Sequence, residues 1–123
     1  MAIERHVIKV TTTGSDASAT ASRVVALPYC ELLAAYFNFH ASAPGTTDTT
    51  LSSPGDPVAL TLLTVTNSVT DAWYYPSIQM DDNVGAAITG AYVPAIVHGN
   101  LLIELAGSDA LTDALTLTLF VRV

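Results

Sequence analysis

The segment LTLTLFVRV, residues 115 to 123, constrains the fold more than any other part of the chain. Successive side chains of an extended backbone point to opposite faces. Leu115, Leu117, Leu119, Val121 and Val123 therefore share one side, and Thr116, Thr118, Phe120 and Arg122 share the other. A period of two belongs to a strand with one apolar face, and that face needs a second layer to cover it. The leucine side is expected in a sheet core. The side bearing Thr116, Thr118 and Phe120 is expected to be wet or covered by a neighbouring molecule.

The rest of the chain reads in the same way, with β-branched residues clustered between turn residues at short intervals, the habit of an all-β sandwich or barrel. Strands are predicted over residues 3 to 13, ended by Thr13-Gly14-Ser15-Asp16, and over residues 18 to 27, closed by Pro28. CELLAAYFNFHAS, residues 30 to 42, begins with good helix formers, so helix is an alternative there. Strand is favoured because Tyr36, Phe37 and Phe39 lower the helix propensity, and Leu33, Ala35, Phe37 and Phe39 fall on one face at period two.

Residues 43 to 57 read as a loop punctuated by Pro44-Gly45 and Pro54-Gly55, with TTDTTL as a possible short edge strand. Residues 58 to 66 are nearly continuously apolar, which predicts a strand packed on both faces or carrying a bulge. After a turn at residues 67 to 71, AWYYPSIQM includes Pro76 and predicts an edge strand or an ordered loop. Asp81-Asp82-Asn83-Val84-Gly85 predicts a turn. Strands over residues 92 to 97 and 101 to 106 follow, with Gly99-Asn100 as a two-residue hairpin signal between them. The sum is one domain over residues 1 to 123, an antiparallel β-sandwich or jelly-roll-like fold of seven to nine short strands.

Composition then narrows the function. Half of the residues are hydrophobic and 12% are charged, against roughly 25% charged in an average soluble chain. The mean hydropathy is +0.46. Such a chain either enters a membrane or has much of its surface covered by protein. Apolar runs such as residues 32 to 37 fall far short of the roughly 18 to 20 residues of a spanning helix. A membrane barrel is disfavoured because MAIERHVIKV reads as a strand with no apolar export segment, so no membrane partner is expected and synthesis in the cytoplasm is. The net charge of −7, with Arg5, Lys9, Arg23 and Arg122 as the basic residues, argues against nucleic acid as a partner. The single Cys30 reads as a small buried hydrophobe.

Signals for catalysis are weak. His6, His40 and His98 stand far apart with no metal-ligand spacing, and no oxyanion-hole or orienter motif accompanies a Cys30–His pairing. Asp81, Asp82 and Asn83 before Gly85 match a fragment of a calcium loop but lack its remaining ligands, so a plain acidic turn is preferred. Glu31 and Glu104 sit within predicted strands and would meet only by coincidence of folding. No catalytic, metal or cofactor residues are assigned, and the chain is not expected to be an enzyme. Trp73, Tyr74 and Tyr75 are the candidate interface residues, as rigid amphipathic anchors or a sugar-stacking platform. Alternation gives Trp73 and Tyr75 a competing and slightly favoured role as caps of the core.

The lysine-poor, Thr/Ala/Val-rich composition, the stretches TTDTTL and TVTNSVTDAWYYP, and the finish GSDALTDALTLTLFVRV together resemble small structural proteins of tailed bacteriophages, above all the all-β capsid decoration or cement class. The resemblance covers most of the chain as a style. It implies a β-sandwich or jelly-roll subunit, a homo-oligomer and often a trimer, that sits on the virion exterior and holds major capsid protein subunits together. Neck, tail and fibre-base proteins share the style, and a carbohydrate-binding sandwich using Trp73, Tyr74 and Tyr75 is the rival from another class. A hydrolase using Cys30 or His40 ranks third.

Overall fold

A computed structural model describes residues 2–54 and 58–123. Its strands are β1 (Ile3–Val10), β2 (Ala19–Ala26), β3 (Cys30–Phe39), β4 (Asp48–Ser53), β5 (Leu60–Val65), β6 (Ala72–Tyr74), β7 (Ser77–Asp81), β8 (Ala87–Val97), β9 (Asn100–Ser108) and β10 (Leu115–Arg122). The described residues contain no helix. Two antiparallel sheets pack as a sandwich, as expected. Ten strands replace the seven to nine expected, because Tyr75-Pro76 interrupts residues 72 to 81 and leaves β6 and β7 as separate strands.

The first sheet runs β1-β10-β3, with β6 and β8 both beside β3 and β7 outside β8; the second runs β2-β9-β4-β5. The pairing is nested, β1 with β10, β2 with β9, β3 with β6 and β4 with β5. A long hairpin doubled back and rolled into two sheets produces this order, which is that of a jelly roll. The β7–β8 hairpin is an insertion into that plan.

The expected alternation is realised from Leu115 to Arg122, while Val123, beyond the end of β10, is exposed. Leu115, Leu117, Leu119 and Val121 are completely buried, and Thr116, Thr118, Phe120 and Arg122 lie half-buried on the outer face. The core that receives them includes Phe37, Leu51, Leu101, Ile103 and Leu105. Buried Thr12 ties down the approach to β10, its hydroxyl accepting the Leu111 N–H at 3.0 Å while the Leu111 carbonyl accepts the Thr12 N–H at 3.1 Å.

Residues 30 to 39 are strand, with one difference of detail. The register between β3 and β10 slips between Phe120↔Ala34 and Val121↔Leu32, leaving Leu33 as an extra residue. This bulge turns Leu32 inward and Leu33 partly outward, so the buried set is Leu32, Ala35, Phe37 and Phe39 in place of one beginning at Leu33. Of the two readings of the apolar run at residues 58 to 66, the bulge is found: it sits on β5 at Leu62, between the pairs Leu51↔Leu63 and Ser52↔Thr61.

Two expectations are overturned. TTDTTL is no edge: β4 lies between β9 and β5, with Thr49 and Leu51 buried on its inner side. Its polar composition gave the appearance of an edge, yet threonine methyl groups pack well on a pleated surface. The Gly99-Asn100 signal also makes no hairpin. β8 ends on β3 through Cys30↔Val97, whereas β9 begins on β2 through Ala26↔Asn100, so the turn carries the chain from one sheet to the other. Gly99, at φ +93, makes that turn possible, and its carbonyl accepts the Leu27 N–H at 2.7 Å. Of the loop expected over residues 43 to 57, residues 55 to 57 lie outside the described residues.

Gly107 is the tightest backbone position. It has φ +65, the Thr46 hydroxyl donates to its carbonyl at 2.7 Å, and a Cβ there would lie 2.5 Å from the Thr46 carbonyl oxygen. Gly107→Ala is expected to lower stability by about 1–3 kcal/mol from strain of this kind. Gly45→Ala, where a Cβ meets nothing within 4 Å, should leave the unfolding midpoint in place. Equal midpoints for the two variants would contradict the close approach.

Candidate functional site

Outward-facing residues of β1, β10, β3 and β6 form one continuous surface. Its central row is the cross-strand series Val7↔Thr118, Thr118↔Tyr36 and Tyr36↔Trp73, and the row beside it is Arg5↔Phe120 and Phe120↔Ala34. Residues directly opposite one another in an antiparallel sheet share a face. Three aromatic rings therefore meet. Trp73 lies 5.0 Å from Tyr36 and 5.9 Å from Phe120, stacked on the latter at 29°. With Arg5 and Thr118 they line an open groove of about 480 Å³.

Trp73 is 47% exposed and Tyr75 is 69% exposed, while Tyr74 points inward and packs on Phe37 at 4.9 Å. The core-capping role expected for Trp73 and Tyr75 therefore falls to Tyr74. The register of β6 on β3 decides this: Phe37 is buried, so Tyr36 faces out and takes Trp73 with it. Of the three expected interface residues, Trp73 and Tyr75 are available for contact and Tyr74 belongs to the interior. Arg5, Tyr36 and Phe120 complete the groove and were not singled out from sequence, although the period of two in residues 115 to 123 already placed Phe120 opposite the leucines.

Exposed Ile3 and Val7 extend the apolar character across β1. The outer side of the second sheet is different. It has its own concavity of about 490 Å³, lined by Thr20, Ser22, Thr50, Asp48 and Glu104 among others, and Val24 is the one large exposed hydrophobic on its described strands. Three of the four cations, Arg5, Lys9 and Arg122, lie on the first sheet's outer face by alternation. Arg122 pairs with Glu31 at 3.3 Å and Lys9 approaches Asp113 at 4.0 Å. No carboxylate pairs with Arg5 among the described residues. The fourth cation, Arg23 on β2, donates to the Lys9 carbonyl. One side of the sandwich is thus aromatic and cationic, the other hydroxyl-rich and acidic. No protein-family model matches the chain, and no curated protein or solved structure does either.

The remaining reactive residues are scattered. The His6 ring lies 3.2 Å from Glu4, His40 Nδ1 accepts the Ser42 N–H at 3.0 Å, and His98 follows β8. Glu31 and Glu104 stand on different sheets. Among the described residues no three of His, Cys, Asp and Glu come together as a metal site would need. Asp82 accepts the N–H groups of Val84 at 2.9 Å and Ala86 at 3.0 Å, a capped turn; these bonds stabilise the carboxylate and lower its pKa.

Cys30 is buried at the start of β3, and burial first, then the Glu4 carboxylate, raise its thiol above the ordinary value of 9.0. Near neutral pH the native protein should react with a thiol-specific disulfide reagent roughly tenfold or more slowly than the protein in denaturant. The folded thiol binds its proton more tightly than the unfolded one. Its contribution to stability is therefore intact below 9.0 and declines as the pH rises from there through the folded value. Equal labelling rates for native and denatured protein would contradict this placement.

Proposed function

We propose that the chain is a structural subunit of a tailed-bacteriophage virion that decorates and stabilises the capsid, binding the assembled shell through the outer face of its first sheet. The observation that carries the reading is the inequality of the two outer faces. A single sandwich in water has no reason to place Tyr36, Trp73 and Phe120 with exposed Ile3 and Val7 on one side and Thr20, Ser22, Thr50, Asp48 and Glu104 on the other. A subunit with one side on a protein lattice and the other toward solvent does. The low charge and the likeness of sequence style to decoration proteins support the same reading, with major capsid protein and further copies of the chain as partners. Many modest contacts repeated over a shell add up through multivalency.

The second reading, a carbohydrate-binding sandwich, draws on the same aromatic groove with its Arg5. Stacking on Phe120 occupies one face of the Trp73 ring, which leaves less π surface for a sugar and favours protein contact. Co-sedimentation with empty capsids of the phage whose genome carries the chain, run beside a glycan array, separates the two. Binding to capsids supports the proposal. Glycan binding without capsid binding would replace it.

A further inference from the structure

The β7–β8 hairpin extends beyond the sandwich, and its outer strand has a free edge. β7 pairs with β8 alone, and every residue from 77 to 90 is exposed. A two-stranded ribbon is marginal by itself in water, whereas three or more strands with an apolar face hold together. The usual protections of an edge are missing. Ser77–Asp81 includes neither proline nor lysine, and the extra residues at the one irregularity of the pairing lie on β8, between Ala87 and Tyr92.

Hydrogen-bond parity identifies the groups that face this edge. The Ala95 N–H donates to the Pro76 carbonyl at 3.1 Å, and the Asp82 N–H donates to the Ala86 carbonyl at 2.8 Å. The register of β7 on β8 sets Pro76 opposite Ala95 and Asp82 opposite Ala86, so the strand is flanked at both ends by hydrogen-bonded pairs. Alternation from either end turns the backbone of Ile78 toward β8 and the N–H and C=O groups of Ser77, Gln79 and Asp81 away from it. The side chains divide in the same phase. Ile78 and Met80 share one face of the ribbon with Val93, the partner of Ile78, and Ser77, Gln79 and Asp81 share the other with Tyr92.

The strand Ser77-Ile78-Gln79-Met80-Asp81 is complementary to itself when reversed. Set antiparallel about Gln79, it places Ser77 opposite Asp81, Ile78 opposite Met80 and Gln79 opposite Gln79. Residues whose backbone groups face the edge then fall opposite one another, giving about six new backbone hydrogen bonds. Apolar meets apolar, and hydroxyl meets carboxylate. The two Asp81 residues stand about 14 Å apart along the strands, beyond a Debye length of about 8 Å at physiological salt. A slip of one residue sets outward groups against inward ones. Slips of two residues shorten the overlap, and the slip toward the tips brings the Asp81 carboxylates to about 7 Å.

We infer that β7 of one copy pairs antiparallel with β7 of a second copy across a two-fold axis at Gln79, joining two hairpins into a four-stranded sheet that runs between subunits. The same patch serves on both sides, so the contact is isologous and closes at two copies. It goes beyond the proposed function, because it uses no residue of the aromatic face and leaves that face open to a shell.

Sedimentation velocity of the full chain over a range of concentrations, without capsids, tests it. The expected result is a dimer. Gln79→Pro deletes an N–H that β8 does not use, and should weaken dimerisation about tenfold or more. Gln79→Ala keeps that N–H and loses only the side-chain bond to the Ile88 carbonyl, so it should stay within about threefold of the wild type. Should Gln79→Pro lose its strand signal in circular dichroism, mild oxidation of Gln79→Cys decides in its place, Cys30 being buried. A disulfide-linked dimer supports the two-fold contact, and its absence overturns it. A wild type that stays monomeric at every concentration overturns the inference, as does a folded Gln79→Pro that dimerises normally. Capsid binding is read separately. A monomer that binds capsids removes the edge contact and leaves the proposed function standing, and a dimer without capsid affinity does the reverse.

Discussion

Phe37→Ala is expected to cost about 3–5 kcal/mol of stability, within the range for truncating a fully buried phenylalanine. The Phe37 side chain is completely buried in β3, between Leu117 on β10 and Ala72 on β6, and its ring meets Phe39 at 5.9 Å and Tyr74 at 4.9 Å. Its removal leaves a void where three strands of the first sheet press on the second, and strands held on both sides cannot close in to fill it. Domains of this size hold about 5–15 kcal/mol in all, so the loss is a large share of the total. The thermal midpoint should drop by about 10 °C or more. A loss below about 1 kcal/mol in denaturant unfolding would mean that the interior is not packed around this ring.

Trp73→Ala should divide the two measurements in the opposite way. Trp73 is nearly half exposed and occupies a three-residue strand, so the fold is expected to lose about 1 kcal/mol or less. Capsid binding by the same variant should weaken by about 2 kcal/mol or more, roughly 30-fold, because a tryptophan at the centre of an apolar patch is the usual hot spot of an interface. Tyr74→Ala, one residue on, should unfold more readily, since Tyr74 packs on Phe37. If Trp73→Ala binds capsids as the wild type does, the aromatic face is not the docking surface.

Where one physical signal dominated, the sequence was legible. The alternation of residues 115 to 123 places Leu115, Leu117, Leu119 and Val121 in the core and Phe120 outside, failing only at exposed Val123, and the bulge of β5 is one of the two readings that the apolar run at residues 58 to 66 allows. Legibility failed where a long-range partner decides the outcome. Leu33 and Leu32 exchange roles through a bulge that β10 imposes, and no neighbour of Leu33 in sequence signals it. Gly99-Asn100 has the chemistry of a turn, but which sheets the turn connects depends on β2 and β3. The aromatic triplet was recognised as a candidate site, and its orientation was read one residue out of phase because the phase belongs to the Tyr36↔Trp73 register. Arg5, Tyr36 and Phe120 come from strands 31 and 84 residues apart in succession, a juxtaposition that only the folded sheet creates.

The nested pairing has a consequence in time. β1 lies beside β10 along its whole length, so it has no permanent neighbour in its sheet until β10 has been made. During synthesis β1 stays an unpaired, half-apolar ribbon until β10 emerges, and the sandwich can close only then. Such distant contacts put folding in the slow regime of milliseconds to seconds. Closure of the domain therefore waits for β10, and chains cut short before it cannot complete the first sheet.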